Sequence, residues 1–162
     1  MKLEGSCHCG KVEFSLTSPH PYPFNICYCG ICRKTAGSGG FGINLGGEAN
    51  SLVVVGEESI RIYRALISSD GGSEEESPCE RRFCGSCGSP LWIWDPRWPE
   101  LIHPFASAID TALPKPPERT HLMLGSKPDW VDAYNRGDAD RSFEEYPEES
   151  IAQWHERLKL SK

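Results

Sequence analysis

Three thiols fall within six residues, at Cys27, Cys29 and Cys32, and two cations, Arg33 and Lys34, follow at once. Spaced C-x-C-x-x-C, the sulfurs can turn to one side of a tight loop and coordinate a single ion. Three protein ligands leave a tetrahedral Zn²⁺ one position short, and that position is where chemistry can happen. A fourth ligand from elsewhere in the chain would instead close the site and make it structural. Three thiolates donate so much charge that the ion would generate hydroxide poorly, whereas a thiol in the open position would stay a nucleophilic thiolate at neutral pH. The triplet therefore suits thiol chemistry better than hydrolysis. The negative charge of such a centre calls for nearby cations, and Arg33 and Lys34 are placed to supply them. They can also receive substrate carboxylates, Arg being the better bidentate partner, although both could simply be solvated surface charge.

Five further cysteines remain. Cys7 with Cys9 and Cys84 with Cys87 are two knuckle-like pairs, and together they would make one closed Cys₄ zinc site pinning the N-terminal strand to a distant hairpin. Structural zinc of this kind can contribute ~10–16 kcal/mol to the folding of a small domain. Spacing alone leaves open the alternative that Cys7 and Cys9 join members of the triplet. Cys79 is left over, either a small buried hydrophobe or a fourth ligand to the triplet. His8 and His121 are expected to be held by hydrogen bonds rather than by metal. Residues 37–42 contain a formal G-x-G-x-x-G, but no helical pattern follows it and no βαβ unit surrounds it. It reads as a glycine-rich turn rather than a dinucleotide site.

At 162 residues the chain has the length of one domain, long enough that zinc would add to a core rather than replace one. Eight cysteines with no apolar leader behind Met1, no long apolar run and no N-x-S/T sequon fit metal ligands in a reducing, cytoplasmic setting better than a secreted disulfide framework. The formal charge of −6 and the absence of any basic run longer than two residues argue against a nucleic-acid partner, and nothing suggests a membrane span.

Sixteen glycines and 13 prolines punctuate the chain every few residues, which suits short strands and turns. Strand patterns are read at 11–16, 41–45, 51–55, 59–64, 91–95, 101–109 and 121–124, the clearest being Val12, Phe14 and Leu16 alternating with polar neighbours. Residues 68–77 contain no apolar side chain and are expected to form a solvated, mobile insertion. Ile151, Trp154 and Leu158 share one helical face behind a capping Ser150, predicting a helix over 150–160 that covers an open sheet edge. Trp92, Trp94 and Trp98 are assigned to core and rim. The whole predicts a mainly β fold of short antiparallel strands with a C-terminal helix.

Four motifs in order match a known family: Gly5-Ser6-Cys7-His8-Cys9-Gly10; Cys27-x-Cys29-x-x-Cys32-Arg33-Lys34-x-x-Gly37-Ser38; Phe83-Cys84-x-x-Cys87-Gly88-Ser89-Pro90-Leu91; and His121 followed by Ser126-Lys127-Pro128-x-Trp130. On these the chain resembles the glutathione-dependent formaldehyde-activating enzyme family. The resemblance covers residues 3–135 as one zinc domain, leaves 136–162 as a C-terminal extension, and implies several coiled antiparallel β-sheets around two zinc ions per chain. Cys7, Cys9, Cys84 and Cys87 match the structural zinc ligands, and Cys27, Cys29 and Cys32 the catalytic ones. It implies a carbon–sulfur lyase joining glutathione, or a similar small thiol, to formaldehyde or a related electrophile, giving S-hydroxymethylglutathione. Lys127 and Trp130 are motif residues that would line the pocket with Arg33 and Lys34, unless Trp130 instead packs against the sheet. The rival reading is a noncatalytic zinc-binding interaction module, as in centromere-associated relatives of this domain. The sequence departs from the family at Tyr28, where histidine is usual, and at the acidic stretch 68–77.

Overall fold

Alternating apolar residues bury one face of a strand, and most strands here are short because a glycine or proline soon interrupts them. The computed structural model describes residues 1–68, 72–133 and 139–160. Among them run β1 (Lys2–Ser6), β2 (Glu13–Thr17), β3 (Phe24–Cys27), α1 (Gly30–Ala36), β4 (Gly42–Asn44), β5 (Gly47–Glu48), β6 (Val53–Val55), β7 (Ile60–Tyr63), β8 (Leu66–Ser68) and β9 (Glu74–Glu76). β10 (Glu80–Cys84), β11 (Pro90–Trp94), β12 (Leu101–Pro104), β13 (Arg119–Leu122), β14 (Arg141–Ser142) and α2 (Ile151–Arg157) follow. They build sheets ordered β1-β2-β6, β5-β12-β11-β10-β7, β14-β13-β3-β4 and β8-β9. The fold is mainly β with a C-terminal helix, as expected. One feature differs: in the four-stranded sheet β13 runs parallel to both β3 and β14. These strands are not hairpin neighbours, so no turn dictates their direction.

The main core lies between the first two sheets, where Leu3, Phe14 and Leu16 meet Leu91, Trp92 and Ile102. The Phe14 and Trp92 rings sit 5.0 Å apart at 60°, and each such buried side chain contributes roughly 1.5–3 kcal/mol. A separate cluster of Ile26, Tyr28 and Val131 backs the four-stranded sheet, and it is this sheet that carries Cys27.

Two stretches depart from the pattern read in the sequence. Residues 74–76 form a strand paired with Leu66–Ser68, rather than part of a structureless insertion, while residues 69–71 lie outside those described. The hairpin is exposed, but its base is closed by Ser77 N donating to the carbonyl of buried Ala65 at 2.8 Å, so backbone pairing forms without an apolar face. The triplet, expected in a loop, runs directly into α1, which ends at Gly37.

The C-terminal helix is shorter than expected, at Ile151–Arg157, and carries a full capping box between Ser150 and Gln153. Its buried Trp154 donates through Nε1 to Glu118 Oε1 at 2.8 Å, and His155 Nε2 lies 2.8 Å from Tyr22 O. Tyr22 and Glu118 stand just ahead of β3 and β13, so the helix closes the leading end of two central strands rather than an open edge. The expected boundary at 135/136 lies outside the described residues. No described helix is long and apolar enough to cross a membrane.

Candidate metal and thiol centres

The first sulfur set is built by two tight turns. After β1, Gly10 N donates to Cys7 O at 3.0 Å and Val12 N donates to Cys7 Sγ at 3.2 Å. After β10, Gly88 N donates to Cys84 O at 2.8 Å, and Gly88 takes the left-handed φ of 75° that a side chain would resist. His8 N and Lys11 Nζ then donate across to Ser89 Oγ and Ser86 Oγ, at 3.1 and 3.2 Å, sewing the two turns together. The outcome is Cys7, Cys9, Cys84 and Cys87 with all sulfurs within 4.8 Å of one another. Cys7 and Cys9 thus lie with Cys84 and Cys87 and apart from the triplet.

Metal fits these four residues. Zinc–sulfur bonds of about 2.3 Å in a tetrahedron put sulfurs about 3.8 Å apart, and Cys7–Cys9 and Cys9–Cys84 measure 3.5 and 3.7 Å. A disulfide would need about 2.05 Å, and all eight cysteines are free. The hydroxyl and backbone of Ser89 hold the Cys87 thiol down at about 5, so this donor is ready to ligate.

Cys27, Cys29 and Cys32 converge separately, again within 4.8 Å, with no fourth Cys, His, Asp or Glu joining them among the described residues. Cys27 ends β3, Cys29 caps α1, and Cys32 lies in its first turn, its backbone N donating to Cys29 Sγ at 3.3 Å. Hydrogen bonds from Cys27 and Cys32 hold the Cys29 thiol far below the usual thiol range, while contacts with Cys29 and Cys32, then burial, push Cys27 far above it. For Cys32 the contact with Cys27 lowers the thiol, but Cys29 and burial outweigh it and leave it at about 11. Crowded together, the three sulfurs oppose one another's ionisation, which a bound cation would offset. The donor set fits a thiophilic metal.

Leu122 and Met123 pack on this cluster. Arg33, half-buried on α1, has its Nε buried with no hydrogen-bond partner among the described residues, while Lys34 is exposed. Lys127 is committed to its own loop, donating to Val131 O at 2.7 Å and Pro128 O at 3.3 Å. Trp130 is 68% exposed and lies over Gly40. Cys79 is buried with Ile93 and Phe105 and belongs to neither sulfur set.

The sequence singled out Tyr28 and His121 but gave no sign of their contact with each other or with Asp140. Tyr28 stands between two of the cysteines, yet its side chain points away from them, and its hydroxyl lies 3.0 Å from Nδ1 of fully buried His121. His121 Nε2 is 3.7 Å from Asp140 Oδ2, which Arg119 holds at 2.6 Å. Burial keeps His121 below its ordinary pKa, so at neutral pH it is uncharged. Arg81 donates through Nη1 to Cys79 Sγ at 3.6 Å and lines a cleft of about 370 Å³ with Thr35, Tyr63, Phe83 and Phe105. Arg81 is placed by the pairing of β10 with β11 and β7, opposite Ile93 and Tyr63, which periodicity cannot reveal.

With the geometry established, comparison with known proteins is direct. The model of the glutathione-dependent formaldehyde-activating enzyme family matches residues 2–123. The chain belongs to this family. A Halomonas elongata protein named for glutathione-dependent formaldehyde activation is 64% identical over 160 residues, covering 99% of this chain and 98% of its own. A crystal structure of a Rhodobacter sphaeroides protein superposes with a TM-score of 0.51 at 23% identity, covering 70% of this chain and 92% of that one. That likeness speaks for the fold alone. Within the family match lie both sulfur sets, Arg33, Lys34 and His121, whereas Lys127, Trp130 and Asp140 fall beyond it.

Proposed function

We propose that the protein is a zinc-dependent carbon–sulfur lyase of the S-hydroxymethylglutathione synthase type, joining the thiol of glutathione to formaldehyde or a related small electrophile. The observation that carries this reading is the incomplete sulfur set: Cys27, Cys29 and Cys32 converge with no fourth protein donor among the described residues, whereas Cys7, Cys9, Cys84 and Cys87 are complete. Zinc held by the three would supply a position at which the substrate thiol stays ionised at neutral pH. The four-sulfur set holds a structural zinc and takes no part in the reaction.

The chain's own residues do the binding. Arg33, whose buried Nε has no partner among the described residues, receives a glutathione carboxylate, and Lys34 offsets the charge of the thiolates from the exposed side of α1. Trp130 offers its exposed ring as a wall for the peptide, and Lys127 serves by fixing the loop that presents it. The reduced thiols suit a cytoplasmic location.

Calorimetric titration of the zinc-loaded protein with glutathione tests this. Binding is expected, is lost in Cys29→Ser, and is weakened by about 1.5–3 kcal/mol in Arg33→Ala, the worth of a hydrogen bond to a charged group. An absence of binding at millimolar glutathione would remove the lyase reading and leave a noncatalytic zinc module.

A further inference from the structure

The cleft lined by Arg81 lies between the five-stranded sheet and α1. Tyr63 and Arg81 stand opposite each other on β7 and β10, and Phe83 follows on the same strand. Phe105 shares a buried cluster with Ala36 of α1, while Thr35 of that helix and Gly88 of the β10–β11 turn complete the walls. At about 370 Å³ the cleft falls within the roughly 300–1,000 Å³ of small-molecule sites. An occupant would touch both the helix that holds Cys32 and the hairpin that holds Cys84 and Cys87.

One charge here is unmatched. Arg82 is paired with Glu80, which Arg64 holds as well. Arg81, half-buried, has no carboxylate at ion-pair distance among the described residues, and its Nε is buried without a hydrogen-bond partner. Its Nη1 is spent on the weak acceptor Cys79, whose thiol burial pushes up, so that the sulfur stays protonated and offers no counter-charge. A guanidinium sheltered among aromatic rings and short of acceptors is costly to keep, and an anion placed beside it would recover that cost. We propose that this cleft binds a small monocarboxylate with an apolar body, its carboxylate paired with Arg81 and its chain or ring lying against Tyr63, Phe83 and Phe105. A single unmatched positive charge suits a single negative one, and a carboxylate fits the guanidinium fork. A phosphate dianion would bring a second charge among apolar walls. Occupancy of this cleft is separate from thiol binding at Cys27, Cys29 and Cys32 and does not require it.

The test titrates the zinc-loaded full chain with hexanoate and, as its uncharged counterpart, 1-hexanol, following backbone amide shifts by NMR. Hexanoate is expected to give saturable shifts at Tyr63, Phe83 and Gly88 and to bind about tenfold or more tightly than 1-hexanol, the effect of a hydrogen bond to a charged group. Arg81→Met keeps an apolar stem and removes the charge, so it should erase that preference and leave the two probes alike. Tyr63→Ala, at an exposed position on an edge strand, keeps the test open should Arg81→Met fail to fold; it should weaken hexanoate about threefold through loss of an aromatic wall. No saturable shift at millimolar hexanoate, equal affinity for the two probes in the parent, or hexanoate binding unchanged in Tyr63→Ala overturns the assignment. So does a preference kept in folded Arg81→Met, or one lost in Arg33→Ala, which would move the carboxylate to the other arginine.

Discussion

Tyr28 shows how one side chain can serve a site it does not enter. Its backbone continues the line of β3, so neighbouring side chains alternate and the ring goes to the opposite side from the Cys27 and Cys29 sulfurs. There it stacks on His121, with ring centroids 6.0 Å apart and planes 15° from parallel, and packs edge-on against Phe41. Tyr28→Phe keeps both ring contacts but leaves Nδ1 of a fully buried histidine without its hydroxyl. A stability loss of about 1–3 kcal/mol in denaturant melts is expected, because a buried polar atom would be left unsatisfied. An unchanged midpoint would mean that another group serves His121. The three-cysteine spacing was legible in the sequence because ligand spacing is local. The Tyr28–His121–Asp140 contact was not, since it depends on β3, β13 and β14 lying side by side.

At the scale of elements, the two sulfur sets differ in what they join. Cys7 and Cys9 follow β1, while Cys84 and Cys87 belong to the β10–β11 hairpin, so metal there closes a long loop of chain. Cys27, Cys29 and Cys32 lie within one β3–α1 junction, which the helix and the sheet already hold. Cys84→Ser is therefore expected to lower the melting temperature strongly, whereas Cys29→Ser removes the second metal with a much smaller shift. Equal losses would show that both sets are structural. Strands with clean alternation, such as β2 and β7, were readable from periodicity. β1 was not, because Gly5 interrupts its pattern; a Cβ there would come within 2.4 Å of Ala108 O, so the glycine reflects close approach between segments. The α1 helix escaped notice because its seven residues are too few for a helical period to emerge beside a glycine-rich turn.

At the scale of the whole molecule, the antiparallel sheets provide the main core and the mixed sheet carries Cys27 of the three-cysteine set. The C-terminal segment ties β14 beside β13 and lodges Trp154 against Glu118, so residues far beyond the family match are bound into the sheet that positions Cys27. Family membership could be read from motifs, but the role of this segment could not, since Trp154, Arg157 and Asp140 meet partners such as Glu118 and Arg119 that only the fold brings near. The account rests on one closed and one open metal centre in the same chain. Native mass spectrometry of protein kept under reducing conditions tests that claim most directly. Two zinc ions per chain are expected, with one glutathione added on titration; Cys29→Ser should carry one zinc and add none. A single zinc in the parent, disulfides among Cys7, Cys9, Cys84 and Cys87, or glutathione still held by Cys29→Ser would contradict it.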